Sequence, residues 1–363
     1  PVPGGPPRCM APGPVGAGGK TWRARRLVIA TGSRPTAPPI PGLDGTPYLT
    51  NETIFKNTTL PSRLIIIGGG PIGMEMAQAH RRLGADVVVL EALQPLGKDD
   101  PELAAVAIGS MRDEGVDIRA EAKIDRVDHD GGRFTVTMAG DERLTGSHLL
   151  VAAGRAPNLE DLGLDAANGR HEHKGVTVDS RLRSVSNKKI FVAGDVAGPY
   201  QFTHVAAYHA GIVIQNALFR LPRKARHAAV PWVTYTDPEL RQVGMTAAQA
   251  KAARGDAVLI LKHPFAENDR AMAERRTDGM IKLVAAGNGK LLGAGVVGMG
   301  AGDLLAPLAL AVARGDKVSR LAQAILPYPT RSQAAKQAAG GYYTPKLYSD
   351  RTKAIVRFLA RFG

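Results

Sequence analysis

Residues 62–91 read SRLIIIGGGPIGMEMAQAHRRLGADVVVLE, and no other stretch constrains the fold as much. Leu64–Ile67 is a short apolar run suited to a parallel strand buried on both faces, and Gly68-Gly69-Gly70-Pro71-Ile72-Gly73 places G-x-G-x-x-G at its end. A helix follows, with Ile72, Met76 and Leu83 as its apolar points and Gly84 placed to end it; Asp86–Leu90 then reads as a second strand closing on Glu91. Each glycine has a separate duty in such a unit. Gly68 permits the tight turn, Gly70 lets the backbone approach a pyrophosphate, and Gly73 lets the helix pack closely on the sheet. Pro71 and Ile72 open the helix, whose N-terminus faces the phosphates. Glu91, twenty-one residues after Gly70, is placed to accept hydrogen bonds from ribose hydroxyls and to repel a 2′-phosphate. That predicts NAD(H) rather than NADP(H) as the ligand.

The same punctuation recurs elsewhere. LVIATGSRP (27–35) is an apolar run that breaks on Thr31-Gly32, LLVAAGRAPN (149–158) breaks at Gly154, and KIFVAGDVAG (189–198) ends in Gly194-Asp195. Strand ends of this kind let glycine pass beside a flat cofactor, and the Asp195 carboxylate is suited to accept a sugar or ribityl hydroxyl. Further on, PWVTYT (231–236), AVLILKH (257–263), GMIKLVAA (279–286) and LLGAGVVG (291–298) read as strands, with TAAQAKAAR and GDLLAPLALAVARG as helices. The fold class is α/β, followed by an α+β domain.

At 363 residues the chain is long enough for roughly two to three domains. Its longest apolar stretches, such as LLAPLALAVA, fall short of the ~20 residues that a bilayer span requires, so no membrane span is expected. The opening PVPGGPPRCMAPGPVGAGG lacks the pattern of a secretory signal and reads as disordered over residues 1–19. Cys9 is the one cysteine, which excludes an intramolecular disulfide and points to the cytoplasm. GPVGAGGKT (13–21) misses phosphate-loop spacing by one residue, and HEH (171–173) reads as a loop rather than a metal site. The formal charge of +14 is uneven: residues 314–363 carry ten Lys/Arg against two Asp. Ile355, Phe358, Leu359 and Phe362 recur at helical spacing there, with Arg357 and Arg361 between them. The segment is a basic amphipathic helix, either a tail for lipid surfaces or RNA, or, the favoured reading, a terminal helix docked by its apolar stripe.

In order, VIATGSRP, IIIGGGPIGMEMA, VAAGRAPN, FVAGDVAG, VPWVTYTDPELRQVG and LPYPTRSQAAKQAAG resemble the flavin- and NAD-dependent pyridine nucleotide-disulfide oxidoreductases, in particular the dihydrolipoamide dehydrogenase and mercuric reductase-like branch. The resemblance implies an NAD domain inserted in a FAD domain, followed by a dimerisation domain and hence a homodimer. It divides the chain into a disordered start (1–19), a FAD-domain remnant (20–61), an NAD domain (62–155), a second FAD segment (156–227), a dimerisation domain (228–340) and the basic tail (341–363). It assigns NAD to Gly68, Gly70, Pro71, Ile72, Gly73, Glu91 and Gly154. Thr31, Gly32, Gly194, Asp195, His204 and Ala206 are left for FAD.

The family's first FAD segment, with its own glycine-rich turn and a CxxxxC disulfide, has no counterpart here, so the expectation is an incomplete chain with half a FAD site. Glu75, a candidate catalytic residue, pairs in the family with a lysine near that disulfide and is expected here to be unpaired or solvated. Tyr328-Pro329-Thr330 and Gln333 stand where thiol-handling members carry His-Pro and Glu. A phenol is a poor base at neutral pH, so Tyr328 is either a catalytic residue or a packed interface aromatic. A metal-carrying cysteine pair is missing from RFLARFG, which makes mercury reduction unexpected. The expected activity is hydride transfer between NADH and flavin. The alternatives are a non-catalytic NAD-binding or dimerising fragment and, more weakly, a basic nucleic-acid or membrane-surface binder.

Overall fold

The computed structural model describes residues 7–362, and the expected disorder of residues 1–6 lies outside them. The chain forms two compact units: residues up to Pro38 together with Gly154–His227, and Pro39–Ala153 together with Ala228 to the C-terminus.

In the first unit, Leu27–Ile29 pairs in parallel with Ile190–Val192, and Ser33–Pro35 pairs antiparallel with Arg155–Pro157. Residues 8–19 are ordered, contrary to expectation. Arg8–Cys9, Pro14–Ala17 and Lys20–Arg23 form a small antiparallel sheet. The glycines that suggested disorder build its hairpin: Gly18 and Gly19 both take positive φ, as a two-residue turn between paired Ala17 and Lys20 demands. Cys9 is buried with Ile29, Leu164 and Val192, and its N–H donates to the Leu162 carbonyl at 2.8 Å. HEH is likewise no simple loop, since His171–Glu172 pairs with Gly175–Val176.

The second unit holds a four-stranded parallel sheet in the order His148–Val151, Arg63–Ile67, Asp86–Leu90, Asp117–Arg119. The Pro71–Arg82 helix crosses from the second of these strands to the third, and Gly84 at φ 106° ends it as expected. Its packing face differs from the expected one. Met74 and Ala77 are buried, Ile72 and Met76 are half-buried, and Leu83 points to solvent.

A five-stranded antiparallel sheet completes this unit, in the order Pro231–Thr234, Glu239–Gly244, Leu291–Gly298, Met280–Ala286, Val258–Pro264. The Ala301–Arg314 helix packs on it through Leu305 and Leu308. The Pro101–Asp113 helix joins the two sheets. A Cβ on Gly295 would meet a Leu103 methyl at 2.3 Å and the Gln242 amide oxygen at 2.6 Å, so any side chain there would have to displace both. At the N-terminus of that helix, buried Lys282 donates to Asp100 at 2.6 Å and to Glu102 at 2.8 Å. Both partners keep the ammonium charged, where a lone buried amine would lose its proton. Next to them, Trp232 Nε1 donates to buried Asp99 at 2.7 Å.

Burial pushes the Asp99 carboxyl up to about 6, against the opposing hydrogen bond from Trp232. Its folded pKa therefore exceeds the unfolded value near 3.9, and the folded protein keeps a proton that the unfolded chain has released. Stability falls as pH rises from about 4 to about 6, and the loss is complete above that window. Asp99→Asn keeps an acceptor for Trp232 and removes the titration. In urea unfolding it is expected to gain about 2 kcal/mol over the parent at pH 8, with the difference vanishing near pH 4.

Candidate functional sites

The second unit carries the first candidate site at the carboxyl ends of its parallel strands. Pairing of Ile67 with Leu90 brings Gly68 and Glu91 out of adjacent strands side by side, and the Gly68 N–H donates to the Leu90 carbonyl at 2.9 Å. Gly68 has φ 111°, and a Cβ there would meet the Ala152 carbonyl at 2.5 Å. A Cβ on Gly73 would come within 1.9 Å of the Gly68 carbonyl oxygen, so the helix start and the strand end are in direct backbone contact. Gly70 differs: nothing lies within 4 Å of its would-be Cβ, which leaves open space above the turn.

The helix has no side-chain cap, Pro71 occupies its first turn, and its first internal bond runs from the Met74 N–H to the Gly70 carbonyl at 3.0 Å. The amides of Ile72 and Gly73 precede that bond and point out of the N-terminus, an arrangement suited to an anion. Glu91 closes the site. One carboxylate oxygen accepts the Gly69 N–H at 2.6 Å and the other accepts the Leu93 N–H at 2.9 Å, which fixes the side chain and leaves further lone pairs for hydroxyl donors. These residues fit a dinucleotide.

Glu75 lies on the same helix and is not unpaired, contrary to expectation. Oε1 accepts the Tyr235 N–H at 2.8 Å. Its pKa is raised chiefly by burial, while the Tyr235 amide and the Arg241 charge act in the opposite direction. Gln78, one turn on, both donates to the Asp237 carbonyl and accepts the Asp237 N–H at 2.8 Å, and Arg82 reaches the Asp237 carboxylate at 3.0 Å. One helix face thus holds residues 235–237. Gln78 was not singled out from the sequence, because an amide between alanines carries no signal without its distant partner. Tyr328, also in this unit, is exposed, and the neighbouring Asp269 carboxylate raises its pKa. The phenol therefore stays protonated at neutral pH and acts as a hydrogen-bond donor rather than a base. The Gln333 side chain accepts the Thr330 N–H at 3.3 Å.

The first unit carries the second candidate site, where two parallel strands end in glycines of positive φ, Gly32 at 71° and Gly194 at 76°. Thr31 is locked to Asn158 by two bonds of 2.8 Å, from its Oγ1 to the Asn158 carbonyl and from Asn158 Nδ2 to its own carbonyl. Asp195 Oδ2 accepts from Ser33 Oγ at 2.5 Å, and Ser33 Oγ accepts in turn from Arg155 Nε at 2.8 Å. Ala206 sits on the Thr203–Ala217 helix, where its small side chain lies 3.1 Å from the would-be Cβ of Gly194. His204 is exposed and stacks on Phe202 at 5.2 Å. Gly154 belongs to this unit. Its carbonyl accepts the Thr36 N–H at 3.1 Å, and a Cβ on it would lie 3.1 Å from Thr36 Oγ1. These groups fit part of a flavin nucleotide cradle.

Two further histidines support this turn. The Gly194 N–H donates to His209 Nδ1 at 3.3 Å, so Nε2 carries the proton and donates to His227 Nε2 at 2.8 Å. Burial, then His227, pushes His209 down to about 4, which keeps it neutral at physiological pH. Nothing in the sequence links histidines eighteen residues apart.

Known proteins resemble this chain over most of its length. The family described as pyridine nucleotide-disulphide oxidoreductase matches residues 8–210, and its dimerisation domain matches residues 230–339. A mercuric reductase of Streptomyces lividans is 38% identical over 327 residues, covering 89% of this chain and 69% of the relative. Mercuric reductases of Lysinibacillus sphaericus and Bacillus cereus are 36% identical, and the chain spans 60% and 52% of their lengths. Among solved structures, the HOCl-induced flavoprotein disulfide reductase RclA of Escherichia coli is similar with a TM-score of 0.85 and 28% identity, over 93% of this chain and 78% of that one. LpdA of Mycobacterium tuberculosis gives 0.84 and 29%, over 92% and 75%.

The glycines separate folding from binding. Gly73→Ala forces its Cβ onto the Gly68 carbonyl and is expected to cost about 2–4 kcal/mol in urea unfolding. Gly70→Ala has room within the protein and is expected to unfold like the parent, while calorimetry is expected to register at least about tenfold weaker NADH binding, the outcome for a turn whose open space takes a pyrophosphate.

Proposed function

Because this chain belongs to the pyridine nucleotide-disulphide oxidoreductase family, we propose that it binds NADH at the Gly68–Gly73 turn and serves hydride transfer to FAD in a mercuric reductase-like oxidoreductase. The observation that carries this reading is the open space above Gly70, bounded by the uncapped helix N-terminus and the fixed Glu91 carboxylate. In this reading the Ile72 and Gly73 amides hold the pyrophosphate, and Glu91 holds the adenine-side ribose and disfavours a 2′-phosphate.

For the flavin nucleotide, Thr31, Gly32 and Gly194 supply close backbone approach, and Asp195 accepts a ribityl hydroxyl. His204 and Ala206 flank the ring edge. When bound, FAD supplies the electron-accepting chemistry that no side chain of this protein offers. Ser33 and Arg155 orient the Asp195 carboxylate, and the neutral His209–His227 pair supports the Gly194 turn from behind. Glu75 is a positioning residue that holds Tyr235, and Tyr328 is exposed with its phenol beside the Asp269 carboxylate. The dimerisation-domain match at residues 230–339 supports a homodimer. A single cysteine in the sequence, the buried Cys9, suits a cytoplasmic setting.

Anaerobic titration of the FAD-loaded protein tests this reading. NADH is expected to bleach the oxidised flavin absorbance, with NADPH much less effective, and Glu91→Ala is expected to raise the NADH concentration required by about tenfold. A flavin that stays oxidised although NADH binds would leave a dinucleotide-binding protein without the proposed activity.

A further inference from the structure

The expected docking of the C-terminal helix does not occur. Asp350–Leu359 is helical, with Ser349 Oγ accepting the Thr352 N–H at its start, and no residue of the helix is buried. Ile355, Phe358, Leu359 and Phe362 are 48%, 56%, 58% and 75% exposed. They share one face at 100° per residue, and the Phe358 and Phe362 rings meet edge to face at 5.2 Å. Lys353, Arg357 and Arg361 project from the opposite face, and residues 346–361 carry five cations against the single Asp350. An apolar stripe of this size is not left in water without an occupant.

We infer that this helix docks in plane on an anionic lipid surface, its apolar stripe among the acyl chains and its cations against the headgroups. Charge decides the kind of occupant: the face opposite the stripe carries Lys353, Arg357 and Arg361 against the single carboxylate of Asp350 and calls for an extended anionic surface. The stripe itself decides against nucleic acid, whose phosphates would leave Ile355, Phe358 and Leu359 wet. Bulky apolar residues on one face and Lys/Arg on the other are the pattern of a helix that lies at a bilayer interface. Ten residues, Asp350–Leu359, are too few to cross a bilayer. The inference is independent of the proposed chemistry, because the helix contributes no residue to either candidate site.

Co-sedimentation of the whole protein with vesicles tests it, using phosphatidylcholine alone and equimolar phosphatidylcholine and phosphatidylglycerol. Binding is expected to the anionic vesicles only. Phe358→Ser combined with Leu359→Ser is expected to lower partitioning by at least about tenfold, with unchanged circular dichroism and unchanged oligomeric mass. Arg357→Gln combined with Arg361→Gln is expected to weaken binding in the same assay, and it carries the test alone if the serine variant fails to fold. No sedimentation of the parent with anionic vesicles overturns the inference. So does sedimentation that neither variant changes, which would assign binding to the rest of the +14 surface. Loss of dimer mass in the serine variant also overturns it, because the stripe would then be a contact between two copies.

Discussion

The contact between the Gly68 carbonyl and the Gly73 backbone sets the rest of the structure. With 1.9 Å between that oxygen and a would-be Cβ, strand end and helix start form one rigid corner. The corner aims the uncapped helix at the space above Gly70, and parallel pairing of Ile67 with Leu90 delivers Glu91 to its edge. The Glu91 carboxylate then returns to the Gly69 amide, so the acidic edge of the proposed site is held by the glycine turn that faces the helix N-terminus. A binding site made of backbone needs this rigidity, because no side chain can be repositioned to correct it.

The same helix also works at its other end. Glu75, Gln78 and Arg82 grip residues 235–237, while Gly295 admits Leu103 and Lys282 binds Asp100 and Glu102. The parallel sheet and the antiparallel sheet of the second unit are therefore joined by polar bonds on one helix and by close packing on another. The removal of one partner from the buried Lys282 group would strand a charge, so these contacts act as a set.

Most of the architecture was legible in the sequence. Strand, glycines, helix, strand and Glu91 follow one another in a register that few folds allow, and the dimerisation-domain strands announce themselves by apolar runs. Glu239–Gly244 was missed because its inward positions include Arg241 and Gln242, whose burial depends on neighbours distant in sequence. Ile72, Met76 and Leu83 do share one face by spacing, but that face lies opposite Met74 and Ala77, which are the residues buried. Residues 8–19 looked disordered because glycine and proline were counted as composition, whereas Gly18 and Gly19 act as turn residues. The pairs Glu75–Tyr235 and His209–His227 rest on tertiary proximity that no local pattern encodes. The amphipathic character of the C-terminal helix was readable, but what covers it was not, since a stripe of Ile, Phe and Leu serves a core and a lipid surface equally well.

Hydrogen–deuterium exchange on the whole protein, with and without saturating NADH, addresses the central claim most directly. Slower exchange of the Ile72 and Gly73 amides and of the segment around Leu93, with little change in the antiparallel sheet, is the expected result. Unchanged exchange at the helix N-terminus, or protection confined to other parts of the chain, would contradict the assignment of the dinucleotide to this corner.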